Sequence, residues 1–116
     1  ILACKSFDDR ICKAGYPVDI HHSKGADCTM LFSPDAYDIP YRVLVPADMK
    51  GLLVAGRCSS MNHEAMAATR VMSTCMALGE AAGTAARLSL AEGVDVADVD
   101  IKALQSELLK ADVYLG

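Results

Sequence analysis

A chain of 116 residues that is 53% hydrophobic and 22% charged has the length of one domain and is too apolar to be disordered. A net charge of −4 with no dense basic cluster argues against a nucleic-acid partner, and every apolar run is broken well short of the ~20 residues of a membrane span. Such an apolar composition for this length implies that some of the surface meets another domain.

The composition changes near Pro46–Gly51 and again near Gly93, dividing the chain into residues 1–49, 50–92 and 93–116. In the first piece, apolar runs at Val18–Ile20, Thr29–Phe32 and Arg42–Val45, separated by turn residues, predict short strands. The run Gly51-Leu-Leu-Val-Ala-Gly56 is apolar throughout and bounded by glycines, which predicts a parallel-sheet strand buried on both faces. Arg57 then stands at the carboxyl end of that strand, where open α/β sheets bind ligands. A polar loop is expected from Cys58 to Arg70. Ser73–Glu92, rich in Ala, Leu and Met and free of Pro, predicts a helix capped by Ser73 or Thr74.

On that helix Gly79 and Gly83, with Ala82 and Ala86 beside them, leave one face almost bare for another backbone or a flat ligand. Past a linker at Gly93–Asp98, the spacing of Ile101, Leu104 and Leu108 predicts an amphipathic helix from about Asp100 to Lys110, capped by Asp98 or Asp100. The fold class is therefore α/β.

Five cysteines, an odd number without CxxC spacing, suit a reducing compartment and hence a cytoplasmic location. A start at Ile1 rather than Met is expected of a processed product or a fragment. No metal site is expected from His21 and His22 with Asp19, Asp27 and Cys28, because adjacent strand residues point to opposite faces. Nor is His63-Glu64 part of HExxH, since Ala67 stands where the second His would be. His63 is a candidate acid–base or substrate contact, or else a loop brace. Arg42 is a candidate clamp for a substrate carboxylate, or else an ion-pair partner of Asp38 or Asp48. Met61, Met66, Met72 and Met76 are expected to fill core gaps, and Cys75 to be a buried, inert thiol or else a thiolate favoured by the helix dipole.

Longer combinations carry more information. Tyr41-Arg42-Val-Leu-Val-Pro46, Gly51-Leu-Leu-Val-Ala-Gly-Arg57, Ser60, His63-Glu64-Ala65, Arg70-Val-Met72, Thr74-Cys-Met-Ala-Leu-Gly79 and Ala81-Ala-Gly-Thr-Ala-Ala86 together resemble the C-terminal segment of the FAD-dependent oxidoreductase family with a glutathione-reductase-type FAD domain. Ala14-Gly-Tyr-Pro-Val-Asp-Ile-His21 is similar to an upstream segment of the same family. The resemblance implies a fragment of a two-domain FAD-binding fold. Residues 1–49 would be a remnant of the substrate-side β-rich region, 50–92 the last strand, loop and helix of the FAD domain, and 93–116 a C-terminal helix. It implies Gly56 and Arg57 near the ribityl-pyrophosphate of FAD, and Ser60 in the adjoining loop. Val71, Met72 and Thr74 would stand at a helix start beside the flavin ring, where the helix dipole stabilises negative charge. Arg70 would hold that charge or fix the loop.

Ser59, Met61, Asn62 and Ser73 depart from the Ile, Ala, Thr and Pro that the family pattern leads one to expect. No two of the eight glycines lie two apart, so the chain has no GxGxxG and is expected to hold FAD weakly or not at all alone. The implied partners are an N-terminal FAD-binding half and a small-molecule substrate, with self-association through apolar faces also admitted. The alternative is a non-catalytic α/β interaction module that associates through those faces.

Overall fold

In the computed structural model, which describes residues 1–23 and 27–116, two short antiparallel strand pairs and three helices form a mixed α/β fold. Strand β1 (Arg10–Ala14) pairs with β4 (Tyr37–Pro40), and between them in the chain β2 (Val18–His21) pairs with β3 (Cys28–Leu31). The hairpin is thus an excursion from the β1–β4 pair, whose register slips once between Arg10 and Cys12.

Lys13 and Asp38 face each other across β1 and β4, their ammonium and carboxylate 2.7 Å apart. The other Asp38 oxygen accepts the Phe7 N–H at 3.0 Å and the Ser6 hydroxyl at 3.2 Å. Burial pushes the Asp38 carboxyl up, but Lys13 and these two donors outweigh it and hold its pKa below the ordinary value.

The helices are α1 (His63–Thr69), α2 (Met72–Glu92) and α3 (Ile101–Lys110). Leu78, Ala81 and Ala85 form the inner face of α2, and their small size lets that helix lie close over β1. Leu104 and Leu108 on α3 complete the core with Ile11 and Leu44, all of them fully buried. Burying one such Leu is worth roughly 1.5–3 kcal/mol. Asp100 caps α3 by accepting the Lys102 N–H at 2.8 Å, as the sequence predicts. Gly93 ends α2 in the left-handed conformation at φ 67°, which a side chain would resist.

Two buried tyrosines tie the parts together. The Tyr37 hydroxyl donates to the Tyr16 carbonyl at 2.9 Å with the Ala68 carbonyl at 3.3 Å, and the Tyr41 hydroxyl donates to the Val96 carbonyl at 2.6 Å. Burial, with Cys12 near Tyr37 and Asp95 near Tyr41, pushes both phenols up to about 12, so they remain donors.

The structure corrects several expectations. Residues 42–45 do not form a strand: Tyr41–Leu44 is a turn of 3-10 helix between Pro40 and Pro46, where the flanking prolines leave no room for a ladder. Residues 51–56 join no sheet among the described residues. A strand buried on both faces needs neighbours on both sides, and here only the Val54 N–H finds one, the Leu44 carbonyl at 2.8 Å. The expected polar loop contains α1, because the Asn62 side chain caps it through the Ala65 N–H at 2.8 Å and three alanines follow. Helix α2 starts earlier than expected, with Val71 rather than Ser73 or Thr74 at its cap. Met61 and Met66 are partly buried as expected, but Met72 and Met76 lie on the outer face of α2 and are 78% and 74% exposed.

Candidate functional site

Gly56, Arg57, Val71, Met72 and Thr74, with the backbone of Arg70, converge where the 3-10 turn Gly56–Cys58 packs on the start of α2. Gly56 makes the turn possible. Its φ of +76° is a conformation that L side chains rarely adopt, and a Cβ placed there would meet Cys75 Sγ at 3.7 Å. The turn is closed by Ser59, whose N–H and hydroxyl both donate to the Gly56 carbonyl, at 3.2 and 2.8 Å. Arg57 leaves this turn toward α1 and donates from Nε to the Arg70 carbonyl at 3.4 Å.

Val71 accepts the Cys75 N–H at 3.0 Å, and no side chain caps the helix. The N–H groups of Met72, Ser73 and Thr74 therefore have no partner within the helix, and 21 residues of aligned peptide dipoles end at this point. An anionic edge of a ligand would be stabilised there by roughly 0.3–1 kcal/mol, more where water is excluded. Thr74 is buried beneath the turn and Cys75 is partly buried, its Sγ 4.0 Å from the Thr69 carbonyl.

Not every candidate residue joins this place. Ser60 donates its N–H to the Val43 carbonyl at 2.9 Å and lines a separate cleft of about 290 Å³ with Tyr37, Asp38 and Met61. The Thr69 hydroxyl, which donates to the Ala65 carbonyl at 2.9 Å, also lies 2.9 Å from the Met61 sulfur, so this departure from the family pattern packs against α1. Arg42 pairs with Asp9 at 2.7 Å, rather than with Asp38 or Asp48, and stacks 4.8 Å from the centre of the Phe7 ring. The Arg70 guanidinium points away from α2, toward β2, where Nη2 donates to the Asp19 carbonyl at 3.2 Å and meets its carboxylate at 3.4 Å.

His63, on the first turn of α1, lines a cleft of about 260 Å³ with Arg70, Asp19 and His21. His21 turns its Nε2 to Asp19 at 3.1 Å, whereas His22, one residue past β2, turns to the Thr29 hydroxyl at 2.9 Å. Among the described residues no group of three or more His, Cys, Asp or Glu is placed to hold a metal ion, and no helix is long and apolar enough to cross a membrane. Asp19 is the residue that sequence reasoning left without a role. Its signal was the i, i+2 spacing to His21, which puts both side chains on one face of β2.

The family model of FAD dependent oxidoreductase matches residues 1–108. No curated protein and no solved structure matches the chain.

Proposed function

Because the chain belongs to the FAD dependent oxidoreductase family, we propose that it is the C-terminal part of a flavin enzyme with a glutathione-reductase-type FAD domain, and that it supplies the flavin-facing helix start. The observation that carries the reading is the uncapped start of α2, with Gly56 and Arg57 folded against it. Bound FAD would supply hydride or electron transfer. Around it, the N–H groups of Met72, Ser73 and Thr74 would face the pyrimidine edge of the ring, where negative charge gathers on reduction. Arg57 would add positive charge beside the ribityl-pyrophosphate, and the φ of Gly56 keeps a side chain out of that approach.

The cradle for the pyrophosphate would come from an N-terminal half, since none of the glycines of this chain stands in a GxGxxG. The isolated chain is expected to take up FAD weakly or not at all. The test is to purify the full-length protein and its Arg57→Ala variant and record flavin absorbance and retention on dialysis. A yellow protein that loses flavin faster in the variant supports the reading. A full-length protein that is colourless and takes up no added FAD overturns it.

One observation favours a second reading, an interaction module. Met72, Met76 and Leu90 lie exposed along the outer face of α2 beside Gly79 and Gly83, where an added Cβ would meet nothing within 4 Å. Sedimentation of the 116-residue chain separates the two. A discrete dimer without flavin in the full-length protein supports the module, whereas ill-defined association of the chain alone is what an uncovered fragment face gives.

A further inference from the structure

We infer that the cleft between β2 and α1 binds a small carboxylate, with Arg70 as its anchor and His63 on the same α1 wall. This inference stands apart from the flavin reading, because it needs no cofactor. It starts from Asp19, whose side chain is nearly buried and whose Oδ2 gathers the Arg70 guanidinium at 3.4 Å, the His21 ring at 3.1 Å and the Tyr16 hydroxyl at 3.4 Å. One carboxylate oxygen shared three ways cannot form the parallel two-bond pair that a guanidinium prefers. Instead it fixes Arg70 in place through Nη2 alone, with the Asp19 carbonyl as second acceptor at 3.2 Å.

Nε and Nη1 of Arg70 have no partner among the described residues, and the side chain remains 42% exposed. A pre-positioned guanidinium with unused donors on the wall of a cleft is suited to a planar, two-oxygen anion. His63, at the other end of the same face of α1, lines the cleft beside Arg70, and Met66 between them supplies an apolar surface for the carbon stem of the ligand. The size and charge narrow the class. About 260 Å³ lies at the small end of the roughly 300–1,000 Å³ of pockets for drug-sized ligands, which suits a small anion. The Asp19 charge at the edge of the cleft repels a doubly charged phosphate more than a singly charged carboxylate.

The test is NMR of the histidine ring resonances of the 116-residue chain, titrated at constant ionic strength with sodium acetate, sodium chloride or inorganic phosphate. Acetate is expected to shift the His21 and His63 signals saturably with a Kd on the order of 1 mM, chloride to leave them unmoved and phosphate to bind more weakly than acetate. Arg70→Gln is expected to weaken acetate binding about tenfold and His63→Gln several-fold. If Arg70→Gln does not fold, as judged by circular dichroism, Arg70→Lys keeps the charge without the fork and is expected to weaken binding by about the same factor. Absence of a saturable acetate shift, tighter binding of phosphate, or undiminished acetate binding in a folded Arg70 variant would each overturn the assignment.

Discussion

Replacing Asp38 by Asn changes little in shape and removes one charge from the β1–β4 pair. The Asp38 side chain is 1% exposed and faces three donors: Lys13 at 2.7 Å, the Phe7 N–H at 3.0 Å and the Ser6 hydroxyl at 3.2 Å. An amide has one acceptor oxygen, so at least one of these donors would face an NH₂ group. Breaking a buried ion pair costs about 3–5 kcal/mol. The Lys13 side chain is 22% exposed and regains water when it loses its partner, so a loss of about 2–3 kcal/mol is expected. At about 4 °C per kcal/mol for a chain of this length, the Tm should fall by roughly 8–12 °C.

The pH dependence gives a sharper check. The Asp38 carboxyl is held below its ordinary value in the folded state, so the stabilisation it provides is complete above the unfolded-state pKa of about 3.9 and is lost as pH falls through the folded-state pKa. Urea denaturation of wild type and Asp38→Asn should show the full gap at neutral pH and a closing gap below about pH 4. A gap under about 0.5 kcal/mol at neutral pH, or one that stays constant down to about pH 3, would refute the account.

Three other substitutions probe other parts of the fold. Asn62→Ala removes the cap of α1 and should destabilise the chain by about 1 kcal/mol in urea denaturation, whereas Asn62→Thr should recover most of that. Leu104→Ala empties a fully buried position between α3 and β1 and should cost about 2–5 kcal/mol with an unchanged m-value. Gly79→Ala, on the open face of α2, should stabilise the isolated chain by about 0.5–1 kcal/mol, and a lower Tm would show that the face is covered in solution.

Helices α2 and α3 were legible because composition, spacing and caps agree. Leu104 and Leu108 fall on one face of α3, and Asp100 stands at its cap. The hairpin β2–β3 was legible from its apolar runs. Strands β1 and β4 were not: Arg10-Ile-Cys-Lys-Ala14 mixes charge into a buried strand, and Lys13 is accommodated only because Asp38 faces it on β4. That pairing spans 25 residues, and no local pattern reports it. Helix α1 was obscured by its polar entry, although Asn62 followed by Glu64 and alanines is a start signal.

Much the same holds for the candidate site. The residues at the start of α2 were legible as a group because they are close in the chain, from Gly56 to Thr74. The partnership of Arg70 with Asp19 links positions 51 apart and needed the fold.

The run at 51–56 and the outer face of α2 express one conflict between local sequence and the packing observed. A Gly in a helix interior costs roughly 0.5–1 kcal/mol against Ala, and neither Gly79 nor Gly83 meets a neighbour that would offset it. An apolar segment that keeps only one ladder bond, through Val54, likewise leaves its backbone groups short of the partners that a strand would give them. Both features are unfavourable within the described residues and favourable against a sheet that pairs with 51–56 and lies on the bare face of α2. Such a sheet is what the proposed FAD domain would present, so these two features bear on the same proposal as the uncapped helix start between them.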